Sequence, residues 1–112
     1  MKKLLLFFLI AFSSFSSYEI EGKTVYYDGK TVINADSATF VIIERDADYG
    51  KDKNHVYYAG KEIKGADPRY FDYISYGTTE SLYFKDKKKI YFSGKEIKDA
   101  DFKSFRILGS NY

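Results

Sequence analysis

The chain has no cysteine, no tryptophan and a single proline in 112 residues. Without thiols, disulfides cannot staple the fold, an N-terminal lipidated cysteine is excluded and thiolate chemistry is absent. One proline, with eight glycines recurring at fixed offsets, describes turns rather than a flexible linker. Charge of one sign is also lacking. The formal net charge of +2 comes from Lys2 and Lys3; from Tyr18 onward, 16 basic side chains face 16 acidic ones. Displacing counterions from a phosphate backbone needs an excess of Lys and Arg, so no nucleic-acid partner is expected.

What the chain does have is aromatic character. Twelve Tyr and ten Phe make up 20 % of the residues, a composition that disordered chains do not show. At the N-terminus, Met1-Lys2-Lys3 precedes an unbroken apolar run of nine residues, Leu4 to Phe12, and then Ser13-Ser14-Phe15-Ser16-Ser17. A positive start, a short apolar stretch and small residues at alternating positions form the pattern of a secretory signal peptide. A membrane-spanning helix needs roughly 20 apolar residues, so no span is expected once the leader is removed. Residues 1–16 are read as the signal peptide, with cleavage before Ser17 or Ser14. The product is expected to be exported, to a periplasm or to the cell surface and beyond.

Self-similarity organises the rest. Residues 18–43, 49–74 and 83–108 align without internal gaps, and form the expected β domain of residues 18–108. Tyr18, Tyr49 and Tyr83 correspond, followed by Glu21, Asp52 and Asp86. Then come Val25-Tyr26-Tyr27, Val56-Tyr57-Tyr58 and Ile90-Tyr91-Phe92, and next Gly29-Lys30, Gly60-Lys61 and Gly94-Lys95. Each unit closes with Ala-Asp and, four residues after the Asp, with Phe40, Phe71 or Phe105.

The middle unit carries Asp52-Lys53-Asn54-His55-Val56-Tyr57-Tyr58, then Gly60-Lys61 and Gly65-Ala66-Asp67-Pro68. In these residues the chain resembles the DKNYY family of bacterial repeat proteins. Lys53 and Asn54 become Gly22 and Lys23 in the first unit, and Lys87 and Lys88 in the third. The resemblance implies a repeat, but no particular activity, cofactor or ligand.

Val56-Tyr57-Tyr58 is β-branched and aromatic, which favours a strand. Asp28-Gly29 in the first unit is a strong two-residue hairpin signal. That loop length pairs Tyr58 with Lys61, and it sets Val25 against Val32, Val56 against Ile63 and Ile90 against Ile97. Tyr26, Tyr57 and Tyr91 then share the other face, opposite Thr31, Glu62 and Glu96. Two roles are open for these tyrosines: a ligand-binding stripe, or amphipathic residues covering a second sheet. Asp67-Pro68-Arg69-Tyr70-Phe71 predicts one helical turn with Asp67 as its cap, and Asp36 and Asp101 take the same role. Val41-Ile42-Ile43, Asp72-Tyr73-Ile74 and Arg106-Ile107-Leu108 add further strands, with turns at Asp46-Ala47-Asp48 and Gly77-Thr78-Thr79. The predicted fold is all-β: an antiparallel meander of three tandem repeats with single helical turns, preceded by a signal peptide. One unit cannot bury its own apolar face, so the three must stack.

Catalytic signals are weak. The run from Asp46 to Asn54 fails as a calcium loop, because Lys51 replaces the required glycine and Tyr57 stands where a bidentate Glu belongs. His55 is the only histidine, too few for a zinc site of the usual kind, and no metal or other cofactor is expected. Ser75, His55 and Asp52 supply the residue types of a triad but no motif. The expectation is therefore a non-enzymatic binding module using Tyr26, Tyr57 and Tyr91, with a glycan, a peptide or an envelope protein as partner. The alternative is a structural envelope component that associates with itself or with a partner chain.

Overall fold

A computed structural model of the chain describes residues 17–75 and 82–107. The expected leader, 1–16, the expected turn at Gly77-Thr78-Thr79 and Leu108 lie outside these residues.

Three antiparallel sheets follow one another along the chain. The first contains β1 (Tyr18–Glu21), β2 (Thr24–Tyr27) and β3 (Lys30–Thr31). The second runs β4 (Val41–Ile42), β5 (Tyr49–Lys51), β6 (Val56–Tyr58) and β7 (Lys61–Glu62). The third repeats that order with β8 (Asp72–Tyr73), β9 (Tyr83–Lys85), β10 (Ile90–Phe92) and β11 (Lys95–Glu96). The fold is all-β, and no helix occurs among the described residues.

The hairpin register follows from turn chemistry. Asp28 and Gly29 have φ of 50° and 81°, Ala59 and Gly60 50° and 82°, Ser93 and Gly94 49° and 79°. Two consecutive positive φ values match the right-handed twist of the flanking strands. Tyr27 consequently pairs with Lys30 and Tyr58 with Lys61, while Tyr26, Tyr57 and Tyr91 face Thr31, Glu62 and Glu96. Beyond the ladders, Val32, Ile63 and Ile97 donate backbone bonds of 2.8 Å to Val25, Val56 and Ile90.

One expectation needs correction. The segments after Asp36, Asp67 and Asp101 are single turns rather than helical ones, closed by Thr39, Tyr70 and Ser104 donating back to those residues at 3.2, 3.2 and 3.1 Å. The chain must re-enter a strand at Val41 and Asp72, which leaves no residues to extend a nucleated turn. The Asp carboxylates still serve the turns: Asp67 accepts from the Arg69 N–H at 3.0 Å, and Asp36 and Asp101 accept from Thr39 and Ser104 hydroxyls at 2.7 Å.

The expected turn at Asp46-Ala47-Asp48 returns the closing strand of the first unit onto the second. Val41–Ile42 closes the first sequence repeat but pairs with β5 of the second; Asp72–Tyr73 likewise pairs with β9 of the third. Each unit hands its last strand to the next sheet. Arg106-Ile107, the equivalent segment of the third unit, is not in a strand.

The sheets stack, and each gap holds a core. Tyr18, Val25, Val32 and Phe40 of the first unit close over Tyr57 of the second. Tyr49, Val56, Ala66 and Phe71 close over Phe84 and Tyr91 of the third. Burying one such aromatic or aliphatic side chain contributes about 1.5–3 kcal/mol.

Candidate functional site

The turn before each second hairpin strand carries the acid of the motif. Asp52 is 4 % exposed and Asp86 5 % exposed. One carboxylate oxygen of Asp52 accepts from the Asn54 and His55 N–H groups at 2.8 and 2.7 Å. The other accepts from the Asp36 N–H at 2.8 Å and from the Tyr57 hydroxyl at 2.9 Å. Asp86 repeats the set with Lys88, Lys89, Asp67 and Tyr91 at 2.9–3.0 Å. Local turn, hairpin tyrosine and preceding unit thus meet on one carboxylate. We term this arrangement a clasp.

Its electrostatics match its geometry. Burial opposes the charged form of Asp52, but the N–H donors of Asp36, His55 and Asn54 outweigh it and hold the carboxyl below its ordinary value. Asp86 is held down in the same way by Lys88, Asp67 and Lys89. Burial, then the hydrogen bond to the carboxylate, raises the Tyr57 and Tyr91 hydroxyls above theirs. The proton shared between them therefore stays on the phenol, and the carboxylate stays ionised.

A second recurring contact joins the units. The Tyr18 hydroxyl accepts from the Gly60 N–H at 3.0 Å and donates to the Asp48 carbonyl at 2.9 Å. Tyr49 accepts from the Gly94 N–H at 2.8 Å, and its burial pushes its hydroxyl up to about 12. A Cβ on Gly60 would lie 2.8 Å from the Tyr27 side chain, and one on Gly94 2.4 Å from the Tyr58 ring. Each Gly turn is therefore seated against tyrosines of the unit before it.

The structure places the three tyrosines of the expected stripe in unlike surroundings. Tyr57 and Tyr91, at 0 % and 1 % exposure, have no face open to a ligand; Tyr26, with no clasp, is half-buried. The Tyr57 and Tyr91 hydroxyls end on the Asp52 and Asp86 carboxylates. His55 lies 3.4 Å from the Tyr57 hydroxyl and 3.6 Å from Glu62, and exposed Ser75 is not among its contacts. Asp46 and Asp48 are engaged by the Asp48 N–H at 3.1 Å and the Tyr27 hydroxyl at 2.7 Å. No group of three metal-ligating side chains occurs among the described residues. No helix there is long and apolar enough to cross a membrane.

An open cleft of about 630 Å³ lies where the hairpins of the first two units meet. Tyr27, Ile33 and Glu62 line it together with Lys30, Lys61 and Lys64. These lysines have no acidic partner among the described residues, whereas Glu62 faces His55. Sequence reading missed this cleft, because its two walls come from different repeats.

Stacked hairpin units, interlocked by exchanged strands, define a small all-β repeat protein. A family model matches residues 7–61 and 49–112, and the chain belongs to the DKNYY family. No curated protein and no solved structure matches it.

Proposed function

We propose that the protein is an exported, non-enzymatic interaction module that takes an anionic ligand in the cleft between its first and second hairpins. The observation that carries this reading is the cleft itself. Its volume suits a small ligand, and Lys30, Lys61 and Lys64 line it beside Asp28, Glu62 and the exposed Ile33, so cations outnumber acids in its walls. The polar side chains best suited to chemistry, Asp52 and Tyr57, are saturated by one another and by the backbone. The N-terminal leader supports export.

A screen of acidic and neutral glycans and peptides on the exported chain tests this reading. Binding is expected only for anionic members, and the triple substitution of Lys30, Lys61 and Lys64 to Gln should weaken it roughly tenfold or more. Unchanged binding in the triple variant removes the cleft from the account. A second reading, an envelope component that packs end-on against another chain, is favoured by Phe92, which is 40 % exposed at the far end of the stack.

A further inference from the structure

The two junctions between units use the same parts, so they define what a docking face of this fold requires. The leading unit contributes a hairpin ring, Tyr27 or Tyr58, under which the next Gly turn sits. It also contributes the N–H of Asp36 or Asp67, a covering Phe40 or Phe71, and a last strand. The following unit contributes the Gly turn, the clasp Asp and a strand position opposite its tyrosine that lies beneath the Phe. That position is Gly50, where a Cβ would stand 2.4 Å from the Phe40 ring, or Phe84, stacked on Phe71 at 5.4 Å and 10°. Unit three carries the ring, the covering Phe and the amide of the leading unit's set, without a last strand among the described residues. Phe92 is exposed, Phe105 is half-buried against Tyr83 at 5.2 Å, and the Asp101 N–H has no acceptor among the described residues.

The acceptor set of unit one is incomplete in one specific way. Among the described residues its sheet has three strands where the others have four, and a Cβ on Gly29 would meet nothing within 4 Å. The open Gly29 turn is where the ring of a leading unit would rest. However, Glu19 pairs with Tyr26 at the position of Gly50 and Phe84, and Glu21 replaces the clasp Asp. Its side chain would lie where the covering Phe ring must rest, and an uncompensated carboxylate is costly to bury.

We propose that the unit-three face formed by Phe92, Phe105 and the Asp101 N–H docks a β-hairpin of the same repeat type. Glu19 and Glu21 prevent unit one of a second copy from being that hairpin. The partner is a chain whose hairpin offers a small residue or an aromatic at the first position and Asp at the second. This surface is separate from the cleft, and its lysines play no part here.

Sedimentation velocity across 5–200 µM exported chain tests the proposal. The wild-type chain is expected to stay a single species. The Glu19→Gly/Glu21→Asp variant should grow into open head-to-tail chains, at least tenfold tighter in association, and adding Phe92→Ser should return it to monomers. Should the double variant not fold by circular dichroism, Glu19→Ala alone must show Phe92-dependent association. A folded double variant that remains monomeric overturns the docking face. Wild-type chains that polymerise through Phe92 overturn the carboxylate block.

Discussion

Units two and three differ from unit one at one corner, and the difference explains the motif. Asp52 and Asp86 are buried, and each gathers four hydrogen bonds, one of them from the unit before. Glu21, at the same place in the first unit, is exposed and pairs with Thr24 in a plain ladder. Asp, rather than the longer Glu, thus stands where the turn of a preceding unit is held. The Asp and the tyrosine five residues later are parts of a joint between units. The same comparison separates Gly60 and Gly94, pressed against tyrosine rings, from Gly29, which is open.

The sharpest way to break this contrast is to remove the acid. Asp52→Ala or Asp86→Ala strands a buried hydroxyl and three N–H groups, and each should cost about 3–5 kcal/mol in urea unfolding. Glu21→Ala should change stability by no more than about 0.5 kcal/mol. Equal losses at Asp52 and Glu21 would erase the distinction between the units.

Next in size is the glycine pair. Gly94→Ala combines a left-handed backbone with a clash on Tyr58, at about 2–4 kcal/mol in thermal unfolding. Gly29→Ala meets the backbone penalty alone, about 1–2 kcal/mol. A smaller contrast is expected for the tyrosines. Tyr57→Phe deletes one bond to a charged acceptor, about 1–2 kcal/mol, and Tyr26→Phe should be neutral within about 0.5 kcal/mol.

The most graded contrast is with pH. Asp52 and Asp86 titrate below the ordinary Asp value in the folded state, so they stabilise the protein fully above that value, near pH 4. That contribution is lost as pH falls through the folded pKa values. Tyr57 and Tyr91 are raised, so their contribution is complete below about pH 10 and lost above it. Melting temperature should be flat between these limits and fall outside them. Asp52→Asn/Asp86→Asn should blunt the acid limb; an unaltered limb would place the acid sensitivity elsewhere.

Much of this architecture is legible in the residues. Asp28-Gly29 sets a two-residue loop, and the offsets of Val25 and Val32 then give the register observed. The covering role of Phe71 follows from its fixed distance after Asp67. The turn chemistry of Asp46-Ala47-Asp48 lays Val41–Ile42 against Tyr49–Lys51, so the pairing between units is legible as well. Asp67-Pro68 suits a helix start and a tight turn alike, so these residues alone do not separate the two. The clasp was signalled by an acid always five residues before a tyrosine, but its third member, a backbone N–H, has no signature in a side-chain pattern.

Amide hydrogen exchange followed by NMR addresses the joint directly, because it reports on that third member. The Asp36 and Asp67 amides should exchange only with global unfolding, while the Asp101 amide, lacking a carboxylate acceptor among the described residues, should exchange far faster. Comparable, rapid exchange at all three positions would contradict the account.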